Sequence, residues 1–162
     1  MTDEIRVRPV ARIHNLRRAL GNEDHWGGVV SEIVLDQRLP DECLVGLETF
    51  SHAEIIFYFH KAAGAGRVPL IRHPRDNPVW PKVGVFAQRN KNRPNSIGLS
   101  VVRIIRREER SLFVEGLDAL DGTPVLDIKP IMEEFLPHGE VHQPEWSHEL
   151  MNAYWNRADD NG

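Results

Sequence analysis

Short hydrophobic runs rich in Val, Ile and Phe recur along most of the chain, most of them bounded by Gly, Pro, Asn or Asp. Segments 7–12, 29–36, 53–60, 83–89, 97–105, 112–117 and 124–128 carry this pattern and read as seven β-strands. Alternation fails in Val101-Val102-Arg103-Ile104-Ile105-Arg106, which predicts burial on both faces or a bulge at that strand's end. The polar segment 107–110 reads as a hairpin turn into Leu112-Phe113-Val114. Short strands joined by turns predict an all-β fold, and a single-sheet antiparallel β-barrel of about seven strands is favoured over a sandwich because closure removes exposed edges. Helical spacing occurs only at 41–48, worth one or two turns, and after Pro144, where Trp146, Leu150, Met151, Tyr154 and Trp155 recur at helix-like intervals. The expected layout is a barrel domain over 1–135 with short helical additions. A helical tail over 136–162 completes it, either part of the same domain or docked on a partner subunit.

Composition narrows the function classes. With 162 residues, 41% of them hydrophobic, the chain has material for one core. Its longest apolar stretches, such as Ile55-Ile56-Phe57-Tyr58-Phe59, fall far short of the roughly 20 residues that span a bilayer, and its first residues are charged. Neither membrane insertion nor classical secretion is expected. A single cysteine, Cys43, forms no internal disulfide, suits a reducing cytoplasm, and reads as a small buried apolar residue. The net charge of -4 conceals a basic band: residues 61–110 carry +9, against -4 for 1–60 and -9 for 111–162. Such a band either attracts phosphate-rich ligands or pairs internally with the acidic third. His138, His142 and His148 have no cysteine near them and sit in a loop-like setting, so no metal site is expected.

Two stretches carry candidate chemistry, and neither is the usual Gly-x-Gly-x-x-Gly nucleotide-binding turn. In the first, residues 86–100, an extended backbone puts Arg89, Lys91 and Arg93 on one side as a cationic face, while Pro94, Asn95 and Gly98 shape a turn. An ordinary polar connection between strands uses the same residue types. Joined by Arg72, Arg75 and Asn95, this face would form an electrostatic footprint for RNA phosphates. In the second, residues 116–130, Asp121-Gly122 signals a turn, and Asp118, Asp121 and Asp127 together exceed what a turn requires. They suit a cation, or else accept hydrogen bonds within their own turn. Asp127-x-Lys129 also fits a same-face ion pair in a strand. Trp26 and Trp80 fit either base stacking or packing.

Four blocks then carry a family resemblance. They are residues 46–60, from Gly46-Leu47-Glu48-Thr49-Phe50 to Phe57-Tyr58-Phe59-His60; Val83-Gly84-Val85-Phe86-Ala87; Arg93-Pro94-Asn95-Ser96-Ile97-Gly98-Leu99-Ser100; and residues 120–130, Leu120-Asp121-Gly122-Thr123-Pro124 to Ile128-Lys129-Pro130. Together they closely resemble the TsaA-like, or tRNA methyltransferase O (TrmO), family over roughly residues 5 to 132. The resemblance implies a β-barrel, S-adenosylmethionine (SAM) as methyl donor, a homodimer with active sites near the subunit interface, and methylation of threonylcarbamoyl-adenosine beside the tRNA anticodon. By matching position it implies donor contacts from His60, Lys61, Arg89, Leu99, Asp121, Gly122, Thr123 and Pro124. Asp24, His25 and Trp26 stand where the family has Pro-Arg-Gln. The acceptor is a poor nucleophile, so a base would assist proton loss, and Asp121 and Asp127 are the candidates. Ala87-Gln88-Arg89-Asn90-Lys91 stands where the family's methyltransferases usually have Ala-Thr-Arg-Ser-Pro, and the chain is expected to be a short form without the C-terminal domain of longer bacterial members. Those departures leave two rivals: a SAM-binding barrel that methylates another RNA or a small molecule, and a non-enzymatic nucleic-acid-binding barrel.

Overall fold

The computed structural model describes residues 3–21, 24–64 and 66–157. Six antiparallel strands close into a barrel in the order β1 (Ala11–His14), β2 (Val30–Leu35), β7 (Ser111–Glu115), β6 (Ile97–Glu108), β3 (His52–Tyr58) and β8 (Pro124–Pro130). Strict period-two burial drives the closure. Ala11 and Ile13, Ser31, Ile33 and Leu35, and Ala53, Ile55 and Phe57 point inward, where they meet Val102, Leu112, Val114 and Val125. Leu44, Leu117 and Ala119 complete the core from the connecting segments.

The barrel thus holds six strands where about seven are expected, and the segment 83–89 accounts for the difference. Only Val83–Gly84 (β5) is extended, paired with Ile71–Arg72 (β4) as a separate two-stranded ribbon, and Val85–Ala87 turns as a 3-10 helix. The buried Gln88 side chain holds this fold-back by donating from Nε2 to the carbonyls of Val83 (3.2 Å) and Arg72 (3.4 Å). The first strand also starts later than its pattern suggests: Ile5 and Val7 are exposed, and the ladder begins at Ala11.

Elsewhere local chemistry and structure agree. The broken alternation in β6 coincides with a register shift between Ile104 and Arg106, and Glu109, at φ 45°, turns the chain into β7. Segment 41–48 forms two 3-10 turns, Asp41–Leu44 and Leu47–Thr49. The first buries Leu44 and leaves Cys43 exposed, contrary to the burial expected of that cysteine. The tail holds one helix, α1 (Glu145–Met151), and residues 158–162 of the expected tail lie outside the described residues. Gly98 is a strand residue rather than part of the turn. A Cβ there would lie 2.4 Å from Phe57 Cε2 and 2.9 Å from Phe59 Cζ, so the absent side chain admits an edge-to-face pair whose centroids are 5.2 Å apart. Among the described residues no helix is long and apolar enough to cross a membrane.

Candidate active site

One cleft of about 980 Å³ opens where β3 ends, β6 begins and the 118–123 connection enters β8, and α1 with the residues after it forms its remaining wall. Its size suits a ligand such as a nucleoside cofactor. Each sequence block contributes through the strand or turn that carries it. His60 and Lys61 leave the end of β3, Arg89 and Lys91 come from the fold-back after Gln88, Leu99 lies on β6, and Thr123 follows the Asp121-Gly122 bend. The guanidinium loop and the aspartyl bend therefore meet at one site.

Short-range bonds position these groups. His60 Nδ1 lies 3.3 Å from Thr123 Oγ1, and the turn that places Thr123 is closed by its own N–H donating to the Leu120 carbonyl at 3.1 Å. Burial above all, then the charges of Lys61 and Arg12, lowers the His60 pKa below the ordinary imidazole value, which favours the neutral ring at neutral pH. Arg89 donates from Nη2 to the Leu99 carbonyl at 2.6 Å, fixing the loop to β6. Lys61 donates from Nζ to the Arg18 carbonyl.

The loop 24–28 supplies another wall. Arg17 Nη2 donates to the carbonyls of Asp24 and His25, each at 2.6 Å, and its guanidinium sits 4.4 Å from the centroid of the Trp26 ring. Trp26 is buried and lines the cleft, while Asp24 accepts both terminal nitrogens of Arg75 (2.6 and 3.0 Å). His25 enters through its backbone: its N–H and that of Trp26 donate to the carbonyls of Ala153 (3.2 Å) and Tyr154 (2.8 Å). Tyr154 in turn donates its hydroxyl to Asp118 Oδ2, and Ser100 Oγ donates to Asp118 Oδ1. Burial first, then the Asp118 charge, pushes the Tyr154 phenol far above its ordinary pKa and keeps it a donor. Trp80 Nε1 anchors the helix by donating to Glu149 Oε2 at 2.6 Å.

Other expected residues lie away from the cleft wall. Asp121 turns outward, accepting the Asn15 N–H at 3.2 Å within reach of His14 (3.7 Å) and Arg18 (3.9 Å). Asp127 faces the barrel exterior, accepts its neighbour's backbone N–H at 2.9 Å and pairs with Lys129 at 3.1 Å. Neither of the two candidate bases is therefore among the cleft-lining residues. Gly122 packs beside His60, with its carbonyl accepting from Arg12 at 3.2 Å, and Pro124 is buried at the start of β8.

The basic run does not stay extended as one face. Arg93 folds back to donate to the Gln88 carbonyl at 2.7 Å, leaving Arg89 and Lys91 at the cleft, while Asn95 lies in the exposed turn before Ser96. Arg75 lines the cleft; Arg72 is bound to Asp76 at 2.6 Å outside it. Ser100 and the tail residues Trp146, Leu150, Met151 and Tyr154 were not expected there. Their signal was present as helical spacing after Pro144, which marks an apolar face without identifying the surface it covers. Among the described residues no group of three metal-ligating side chains forms a metal site.

Comparison with known proteins gives concordant similarities. The family model described as the tRNA-methyltransferase O N-terminal domain matches residues 23–135. The human tRNA (adenine(37)-N6)-methyltransferase is 39% identical over 113 residues, 70% of this chain and 25% of that protein. The enzyme of the same name from Eikenella corrodens is 48% identical over 100 residues, 60% of this chain and 53% of that protein. A probable S-adenosyl-L-methionine-binding protein of Pyrococcus abyssi is 46% identical over 94 residues, covering 58% of this chain and 48% of that protein. A crystal structure of TrmO from P. aeruginosa superposes with a TM-score of 0.71 at 30% identity, covering 90% of this chain and 63% of that one. The chain thus spans from a quarter to about half the length of these curated relatives.

Proposed function

The chain belongs to the family of the tRNA-methyltransferase O N-terminal domain, and from that premise we propose that its cleft binds SAM and directs methyl transfer to the exocyclic nitrogen of adenine 37 in tRNA. The finer acceptor is the threonylcarbamoyl-modified base. The observation that carries this proposal is the convergence of His60, Lys61, Arg89, Leu99 and Thr123, from separate sequence blocks, on one cleft that contains no βαβ nucleotide site.

The residues present fit the donor. Lys61 and Arg89 offer positive charge to its carboxylate, Trp26 and Leu99 offer apolar surface to its adenine, and Thr123 offers its hydroxyl to a polar edge. When bound, SAM supplies an activated methyl carbon, so the protein has no covalent nucleophile to provide. The chain's own part is to orient two reactants and exclude water. Thr123 holds the neutral His60 ring at the cleft wall, Arg89 ties the loop to β6, and the tail covers the open side. Lys91 and Arg75, with Arg72, Arg93 and Asn95 beyond the cleft edge, form the proposed surface for tRNA phosphates.

A homodimer belongs to the same proposal. The outer face of β6 exposes Ile97, Leu99, Val101 and Ile105, an apolar stripe that runs into the cleft through Leu99 and Val101. A second copy seated there would place the active sites next to the interface. The same reading places the protein in the cytoplasm, one compartment where tRNA is found.

Calorimetry with SAM, followed by mass analysis of nucleosides from tRNA incubated with the protein and SAM, tests the proposal. Saturable SAM binding and a gain of one methyl group on threonylcarbamoyl-adenosine are expected. SAM binding with transfer to a different nucleoside would replace the acceptor, and RNA binding without heat from SAM would replace methyl transfer with a purely binding role.

A further inference from the structure

Among the described residues lining the cleft, charge is distributed unevenly. Lys61, Arg75, Arg89 and Lys91 face it with positive charge, and Asp118 is the one carboxylate among them. Asp24 offsets Arg75 through two hydrogen bonds from outside the lining, and Lys61 and Arg89, each donating to a main-chain carbonyl, leave the cleft basic. That field suits an RNA phosphate or a carboxylate and opposes a cationic ligand. SAM carries a sulfonium and an ammonium against a single carboxylate, a net charge of about +1, whereas its demethylated product is a zwitterion without net charge.

Asp118 is held for a purpose beyond closing its own turn. Both of its oxygens point to partners remote in sequence: Oδ1 accepts from Ser100 on β6, and Oδ2 accepts from Tyr154 in the tail. One hydrogen bond on each oxygen leaves acceptor capacity on both and fixes the plane of the carboxylate. Tyr154 lies beyond residues 23–135, the part matched by the family model, and nearby Arg75 and Arg89 place it and Asp118 within the cleft's charge cluster.

We propose that Asp118 is the counter-charge that lets this basic cleft prefer the cationic methyl donor over its neutral product, and that Tyr154 is the positioning residue that aims it. The inference rests on the SAM reading above. Asp118 is thereby given an electrostatic role distinct from the general-base role considered for Asp121 and Asp127.

Isothermal titration of the full chain with SAM and with S-adenosylhomocysteine reads the ratio of the two affinities. Asp118→Asn keeps the size and removes the charge, with its amide oxygen still accepting one hydroxyl and its amide nitrogen donating to the other. It is expected to weaken SAM at least tenfold while changing the product's affinity less than threefold. Tyr154→Phe keeps the ring packing, and it should move the ratio in the same direction by a smaller factor. A merely structural role for either side chain would weaken both ligands alike. Thermal melts establish that each variant is folded, and Ser100→Ala, which loosens Asp118 from the other side, is expected to repeat the shift if Asp118→Asn fails to fold. An unchanged ratio in folded Asp118→Asn, or in both Tyr154→Phe and Ser100→Ala, overturns the proposal while leaving SAM binding intact. Absence of heat from the wild-type chain with either ligand overturns the SAM reading itself, and this proposal with it.

Discussion

Replacing Gly27 with alanine isolates the contribution of the tail to the cleft. The new Cβ would lie 1.9 Å from the Trp155 carbonyl oxygen and 2.9 Å from its carbon. A carbon and a carbonyl oxygen stay roughly 3.3 Å apart even in their closest favourable contacts, so the two segments must separate by about 1.4 Å. Gly27 does not have a positive φ, so its own backbone accepts a side chain and the clash falls wholly on the contact with the tail. That displacement breaks the Trp26-to-Tyr154 backbone bond of 2.8 Å, strains the His25-to-Ala153 bond of 3.2 Å and draws Tyr154 from Asp118. At about 1 kcal/mol for each net hydrogen bond, the docked tail loses roughly 2 kcal/mol. Its open population then rises about 30-fold. Limited chymotrypsin digestion under conditions where reclosing outpaces cleavage reads this population directly, through cuts at Trp146, Tyr154 and Trp155. SAM affinity should fall together with it. Gly84→Ala is the control, because a Cβ there meets only the Leu70 carbonyl at 4.0 Å. Equal cleavage of wild type and Gly27→Ala would refute the docking of the tail on loop 24–28 of its own barrel.

Other perturbations test individual supports. Arg89→Ala removes the charge at the cleft and its bond to the Leu99 carbonyl, and should weaken SAM by about 1.5 to 3 kcal/mol in calorimetry, with Arg89→Lys intermediate. In the folded state the His60 pKa is lowered, so the unfolded chain binds that proton more readily. Stability therefore falls as pH drops below the ordinary imidazole value of 6.5, and NMR titration should place the folded midpoint below that value, with His60→Gln flattening this part of the pH dependence of unfolding. Gly98→Ala forces the Phe57 and Phe59 rings aside and should cost about 1 to 3 kcal/mol in denaturant unfolding. For tRNA, Lys91→Ala should weaken binding across sequences and reduce the slope of log affinity against log salt by about 1, whereas an unchanged slope would exclude Lys91 from phosphate contact.

The barrel was legible in short Val-, Ile- and Phe-rich runs bounded by turn residues, and burial alternates strictly along β2, β3 and β7. The departures occur where side chains, rather than strand pattern, decide the backbone. Gln88 satisfies two carbonyls and bends 83–89 out of the sheet, although Val83, Val85 and Phe86 have the composition of a strand. Of the candidate site, His60 and Thr123 flank strands that the sequence pattern locates and Leu99 lies within β6, whereas Arg89 follows a fold-back that the pattern reads as strand. Their convergence required knowing that β3 lies between β6 and β8, a neighbourhood that no local signal encodes. Tail packing was hidden for a different reason. Helical spacing in 146–155 identifies an apolar face, but the contacts that choose its partner surface are backbone bonds from His25 and Trp26 and a fit against Gly27.

Strand β6 carries both the proposed SAM cleft and the proposed dimer surface. Its period-two geometry sends Gly98, Ser100 and Val102 inward and Leu99 and Val101 outward. Ser100 therefore reaches Asp118 from a position whose immediate neighbours, Leu99 and Val101, both lie on the exposed stripe. Because the loop bearing Arg89 is tied to the Leu99 carbonyl, a shift of that outward face would move the Arg89 guanidinium at the cleft. A one-residue slip of β6 against β3 would exchange the two sets, burying Leu99 and exposing Ser100. The register Ile55 to Ser100 and Phe57 to Gly98 prevents it, because only at Gly98 is there room for the Phe57 ring. The glycine that admits the Phe57 ring consequently also fixes which β6 residues point inward and which lie on the exposed stripe.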